Sequence, residues 1–276
     1  MYRALGIPMK TNLYEIPSTF ESSRRPVFLI SDKKLMNFSS KSGGLYDYES
    51  ASGKDSFVSS LMLLVNSIRV GLFKSTGENV NILVHTNSFK ISRIIAENGV
   101  YDHEKFIFHS ENGTSFYENV DGNVWTYDKE SFMLKVKESP NMGMTFISPS
   151  ITEGVDFKNG LARAQIILKH PMPGISNHIK ALQGRLGIKG IVKDYDIYNR
   201  KTYTTLLQQY GRVMRNEDDW GATFIVDQKG VEAIAKIIVN KKERKRANID
   251  YMISAIKHAE KPSGIILGRP SFKLEY

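Results

Sequence analysis

The stretch Val80-Asn-Ile-Leu-Val-His-Thr-Asn-Ser-Phe-Lys-Ile-Ser-Arg-Ile-Ile-Ala-Glu-Asn98 sets the pattern of the chain. Its first six residues form a short apolar run rich in Val and Ile, which predicts a buried strand. Three small polar residues follow, and a helical pattern then runs from Phe89 to Asn98. The same alternation recurs on both sides. Strands are expected at Pro26–Ile30, Val80–His85, Lys105–His109, Met144–Ser148, Ala164–Lys169 and Ala222–Val226. Helices are expected at Phe57–Phe73, Phe89–Asn98, Glu130–Lys137, Asn177–Leu186, Tyr203–Met214 and Val231–Ile256. Such alternation predicts an α/β domain with a mainly parallel sheet. Near-continuous apolar strands predict helices on both faces of that sheet. Ligands of such folds gather at the carboxyl ends of the strands, so the residues of interest should follow strands.

Composition narrows the field. The chain has 276 residues, 41% hydrophobic and 24% charged. These proportions exclude a disordered or collagen-like chain. No apolar run of about 18 residues is read, so no membrane partner is expected. The opening residues Met1–Gly6 lack a signal-peptide core. Cysteine is absent, which removes disulfides, thiolate zinc sites, iron–sulfur clusters and cysteine nucleophiles, and fits a cytoplasmic protein. None of the six histidines pairs with acids at ligand spacing, so no metal is expected in this chain. The net charge is +9, a footprint that suits a polyanionic partner. Two stretches, Asn37–Gly53 and Asn112–Tyr127, lack a clear period and are expected as loop insertions on one domain. Asp121-Gly122 in the second is a strong hairpin signal.

The segment Tyr203-Thr-Thr-Leu-Leu-Gln-Gln-Tyr-Gly-Arg-Val-Met-Arg215 carries the chemistry. On a helix with Gln208 at zero, Tyr203, Leu206, Leu207, Tyr210, Val213 and Met214 fall between roughly 140° and 260°. That is the stripe expected to pack. Gln208, Arg212 and Arg215 lie within roughly 40° of zero, on the opposite face. Gly211 beside them is expected to let something bulky approach the backbone. Paired guanidiniums suit bidentate binding of phosphate oxygens. A solvated polar face is the alternative. A second segment, Thr145-Phe-Ile-Ser-Pro-Ser-Ile-Thr-Glu-Gly-Val-Asp-Phe157, is a strand followed by a loop with Glu153, Gly154 and Asp156. That is the right place for a ligand loop, and a helix N-cap followed by ordinary acidic residues is the alternative.

Together these segments resemble a known set. Ser150-Ile-Thr-Glu-Gly-Val-Asp-Phe157 resembles motif V of the XPD/DinG family of superfamily 2 DNA helicases. Gln208-Gln-Tyr-Gly-Arg-Val-Met-Arg215, with Asp219-Trp-Gly221 and Asp227, resembles motif VI and its tail. Val80-Asn-Ile-Leu-Val-His-Thr-Asn-Ser-Phe89 is placed like motif IV. Leu5-Gly6-Ile7, Tyr14-Glu-Ile-Pro-Ser-Thr-Phe20 and Arg25-Pro26 resemble the passage after motif III. No G-x-x-x-x-G-K-[ST] loop and no D-E-A-H box occurs. The resemblance therefore identifies residues 1–276 as the second, C-terminal RecA-like lobe alone, a three-layer domain. On this view the chain is an excised lobe or the product of a split or truncated gene.

The resemblance also implies roles. ATP and Mg2+ would sit between this lobe and an N-terminal helicase lobe carrying the Walker A and B motifs. Arg212 and Arg215 would face the γ-phosphate and Gln208 would line the same seam. Asp156 would meet the ribose, with Glu153 beside it and Gly154 and Gly211 allowing close approach. Single-stranded DNA would be gripped by its backbone, with Thr86, Asn87, Ser88, Ser148 and Ser150 as candidates, and moved 5′ to 3′. The isolated chain would be inactive. Tyr46, Tyr48, Phe116, Tyr117 and Trp125 are candidates for base stacking or for capping a core. Lys241–Arg246 is a phosphate contact or a solvated face, and His170-Pro-Met-Pro173 is read as structural. The other reading is a non-catalytic module, derived from such a lobe, that binds single-stranded DNA or a protein.

Overall fold

A computed structural model describes residues 21–30, 51–99, 105–110, 116–119, 122–151, 157, 160–172, 181, 196–213 and 219–239. The six apolar runs all form strands. They are β1 (Val27–Leu29), β2 (Ile82–His85), β3 (Phe106–His109), β6 (Thr145–Ser148), β7 (Ala164–Ile167) and β8 (Ala222–Ile225). All six are parallel, in the order β1-β8-β7-β2-β6-β3. Between β3 and β6 in sequence, β4 (Phe116–Asn119) and β5 (Gly122–Tyr127) form an antiparallel hairpin. The hairpin that Asp121-Gly122 signals is thus present in the pairing of its two strands. The hairpin is not a loop insertion standing off the fold, however. β5 pairs parallel with β3, and the sheet grows to eight strands.

Side chains alternate across the sheet, and helices cover both faces. On one face Ile82, Val84, Phe108, Ile147, Ile166 and Phe224 share a cluster with Leu61, Val65 and Ile68 of α1 (Ala51–Thr76) and Ile91 and Ile95 of α2 (Phe89–Asn98). On the other, Leu83 and Phe146 lie under Phe132 and Val136 of α3 (Lys129–Glu138). Beside them Val27, Ile167 and Ile225 meet Leu206 and Tyr210 of α4 (Asp196–Tyr210) and Ile234 of α5 (Gln228–Val239). This is the three-layer α/β arrangement that the strand–helix alternation predicts.

Helix α1 brings two corrections. It begins at Ala51, so residues 51–53 belong to a helix rather than to the irregular stretch. Its part Phe57–Thr76 is also long and apolar enough to cross a membrane, where no such stretch was expected. Phe57, Val58, Leu61, Leu64, Val65, Ile68 and Leu72 pack instead against the sheet, which makes it a core helix of this fold. Local caps set other boundaries. The Ile91 amide donates to Ser88 Oγ at 3.4 Å at the start of α2. The Ser131 amide donates to Asp128 Oδ1 at 2.8 Å at the start of α3, which holds that carboxyl below the usual range. The expected helix Asn177–Leu186 is described at residue 181 alone, and residues 37–50 and 240–256 lie outside the described residues.

Candidate functional site

Helix α4 ends at Tyr210, four residues before the end that its periodicity predicts. The Gly211 amide still donates to Leu207 O at 3.1 Å, but the Arg212 amide turns back to Gln209 O at 3.0 Å. A side chain from the sheet satisfies the last carbonyl of the helix: Gln165 Nε2 donates to Tyr210 O at 3.0 Å. Beyond the break the chain changes partners. Leu206 and Tyr210 pack in the cluster under α4 and α5, whereas Val213 packs with Leu83, Phe146 and Phe157 under α3. A Cβ on Gly211 would meet only ordinary contacts, the nearest being Leu207 O at 3.6 Å. Within the described residues, nothing packed there requires glycine.

This break overturns the expected face of Arg212. A continuous helix would point it at solvent, yet it is 5% exposed. Its positive charge lies close enough to His85 to lower that residue's pKa. Its carbonyl accepts from the Phe157 amide at 3.2 Å, tying the turn to the far end of the loop after β6. Gln208 is partly exposed on the last turn of α4. Glu153, Gly154, Asp156 and Arg215 lie outside the described residues, as do Tyr46, Tyr48 and Lys241–Arg246.

Beneath the turn a polar line crosses the sheet. Gln165 Nε2 also donates to Thr223 Oγ1 at 2.8 Å, so its Oε1 faces His85 Nε2 at 3.1 Å. That assigns the proton to Nε2 and leaves Nδ1 a buried acceptor without a hydrogen-bond partner. Burial pushes the His85 pKa down to about 4, aided by Arg212 and opposed by the Gln165 bond. Burial likewise pushes His170 down to about 4. Next to it Asp227 is raised by burial, although it accepts the His170 amide at 2.6 Å and the Lys229 amide at 3.1 Å.

The small polar residues that follow β2 and β6 have specific neighbours. Thr86 is fully buried, its hydroxyl 2.7 Å from Ser92 Oγ. Asn87 has φ of 50°, in the left-handed region, and is partly buried. Its Nδ2 donates to Lys169 O at 2.6 Å, and its Oδ1 accepts from Gln209 Nε2 at 2.6 Å. Ser148 is fully buried. It accepts from the Ile151 amide at 3.1 Å, and its hydroxyl lies 2.9 Å from His109 Nδ1. Ser150 is exposed and Ser88 partly so. Thr86, Asn87 and Ser148 therefore gather at the carboxyl edge of the sheet with Gln209 and Arg212. Sequence reasoning missed Gln209. It is fully buried, and its partner is distant in the chain, so periodicity gives no signal for it. Among the described residues no group of three His, Asp or Glu side chains could hold a metal ion.

The described residues thus form a parallel sheet between two helical layers, with polar side chains gathered at its carboxyl edge. A family model described as "Helicase C-terminal domain" matches residues 72–244, which span β2 to α5. The match covers more than half of the chain, and the chain belongs to that family of helicase C-terminal domains. Over 84 residues it is 30% identical to the Fanconi anemia group J protein homolog of Gallus gallus, a match covering 29% of this chain and 7% of that protein. An XPD helicase structure aligns over 81% of this chain and 34% of its own, with 17% identity and a TM-score of 0.49. The S. tokodaii Xpd4 structure aligns over 86% and 42%, with 12% identity and a TM-score of 0.43. The chain thus spans a small part of the curated relative and about a third of the XPD structure.

Proposed function

We propose that this lobe is half of an ATP-dependent DNA helicase motor. It closes on ATP and Mg2+ held by a first lobe that carries the Walker A and B motifs and is not in this chain. The observation that supports this reading is the pinned end of α4. Gln165 holds the last carbonyl of the helix and Asn87 holds Gln209, so the turn that carries Arg212 is fixed at the carboxyl edge of the sheet, three residues before Arg215 in the chain. Gln208 and Arg215 meet the γ-phosphate on closure. Arg212 is buried next to His85 and reaches the phosphate when the turn at residues 211–213 shifts. Gly154, Glu153 and Asp156 line the ribose side, and Gly211 leaves room for the opposing lobe. Together the guanidiniums neutralise charge that builds on the transferred phosphoryl group.

Single-stranded DNA is the partner on the same edge, held by its backbone, because a motor must ignore sequence. Ser150, Ser88 and Asn87 have the exposure for direct contact, while the buried Thr86 and Ser148 shape the loops that carry them. Movement is 5′ to 3′ and the setting is cytoplasmic. The burial of Arg212 favours a second reading, a lobe that binds single-stranded DNA or a protein without taking part in ATP turnover.

Joining the lobe to its cognate first lobe separates the two. Arg215→Ala is expected to cost about 3–4 kcal/mol of transition-state stabilisation, a few hundredfold in DNA-stimulated ATP hydrolysis. Its thermal melt is expected to stay in place. A variant that melts normally and hydrolyses at the wild-type rate would mean that the Arg215 face is only a solvated surface, and the motor reading of that face would fall.

A further inference from the structure

Five residues from four parts of the chain form one hydrogen-bonded path at the carboxyl edge. Lys169 O, after β7, accepts from Asn87 Nδ2 at 2.6 Å. Asn87 Oδ1, after β2, accepts from Gln209 Nε2 at 2.6 Å, and the two amides close a second, longer bond of 3.5 Å from Asn87 Nδ2 to Gln209 Oε1. Gln209 O then accepts the Arg212 amide at 3.0 Å, and Arg212 O accepts the Phe157 amide at 3.2 Å. The path therefore touches the loop after β2, the turn that carries Arg212, and the end of the loop with Glu153, Gly154 and Asp156.

The orientation of the amides is fixed. Asn87 Nδ2 is committed to Lys169 O, so Oδ1 must face Gln209, and Gln209 must present its NH2 group. A flip of either side chain would oppose two acceptors or two donors. Gln209 is fully buried, so losing its partner would leave an unsatisfied amide. Asn87 also holds a left-handed backbone, φ 50°, a conformation that asparagine tolerates better than most residues. The loop after β2 thus has one arrangement while Gln209 is in place, and a displaced loop must break the pair.

We propose that the Asn87–Gln209 amide pair is a positioning device that couples single-stranded DNA on the loop after β2 to the nucleotide-facing turn at Arg212. The inference rests on the motor reading above. Gln209 touches neither ligand; it acts through Asn87 on one side and through the Arg212 backbone on the other. DNA that seats the loop after β2 sets the pair, and the pair sets the turn. Removing Gln209 is then expected to uncouple the two sites rather than to damage either.

The test uses the full motor, this lobe with its first lobe, and compares ATP hydrolysis with and without an oligothymidylate strand. Gln209→Ala is expected to lower the fold-stimulation by DNA about 2- to 30-fold, the usual range for residues that couple sites. Hydrolysis without DNA stays within about 2-fold. Gln209→Asn, which shortens the amide and retains its chemistry, serves if the alanine variant fails to fold. Gln209→Met, which keeps the bulk of the side chain and loses the amide, is expected to lower stimulation as the alanine variant does, which a simple packing role would not do. Equal loss of basal and stimulated rates, unchanged stimulation in the alanine variant, or full stimulation in Gln209→Met would each overturn the proposal. A wild-type motor that DNA does not stimulate at all would overturn the motor reading, and this inference with it.

Discussion

The two faces of the sheet are packed differently. Under α1 and α2 the buried side chains form one apolar cluster, which includes Phe28 and Phe224 stacked at 5.0 Å. Under α3, α4 and α5 there are two clusters. His85, Gln165 and Thr223 lie on that second face, and Gln165 reaches the carbonyl of Tyr210. Polar groups in such a position stabilise a fold only when each finds its partner. The apolar face holds the lobe together mainly through buried area, with one long-range bond from Arg69 to Thr145 Oγ1 at 2.6 Å among the described residues. The polar face spends some of that stability on direction, because the Gln165 amide fixes where α4 stops and where the chain turns toward Arg212.

Three measurements on the chain itself bear on that contrast. The largest effect is expected on the apolar face. Phe224 is 2% exposed and stacked, so Phe224→Ala should cost about 3–5 kcal/mol through lost burial and a cavity. Urea unfolding midpoints measure it, and a cost below that of the polar-face variant would reverse the ranking of the two faces. Next is Gln165→Leu, which keeps the bulk but strands Tyr210 O, Thr223 Oγ1 and His85 Nε2. It should cost about 1–3 kcal/mol. A neutral or stabilising result would mean that the polar line contributes nothing to the turn's position.

The smallest effect is that of pH. His85 has a folded pKa of about 4, below its ordinary value of 6.5. The unfolded chain therefore takes up a proton that the folded chain refuses. The contribution of His85 is complete above pH 6.5 and is lost as pH falls toward 4. Between pH 7 and pH 5.5 it should amount to about 1 kcal/mol. His170 is depressed in the same direction, so the comparison is between the chain and its His85→Gln variant, whose stability should fall less over that range. Identical pH dependence in the two would place the titration away from the polar line.

Local pattern made much of this lobe legible. The six strands follow from short runs such as Ile82–His85 and Ala222–Ile225, because a strand buried on both faces must be apolar along its whole length. Helix α2 was legible to its ends, since Ser88 and the apolar spacing of Ile91, Ile94 and Ile95 all lie within a few residues. Asp121-Gly122 likewise announced a hairpin, because a tight turn is a property of two residues. That β5 joins β3 was not legible, since strand pairing is chosen by a neighbour, not by the turn.

The site divides in the same way. By itself the sequence determined the fold class and the strand ends where polar residues gather; Gln208, Arg212 and Arg215 it offered as candidates. Tertiary structure alone decided that α4 stops at Tyr210, that Arg212 turns inward beside His85, and that Gln209 grips Asn87. A period of 3.6 residues assumes that a helix continues. Whether it does depends on what is offered to its last carbonyl, and here that is an amide from Gln165, 45 residues earlier in the chain. The Asn87–Gln209 pair spans 122 residues. Hydrogen bonds between such distant groups leave no periodic trace, because they form only after the sheet has brought β2, β7 and the end of α4 together.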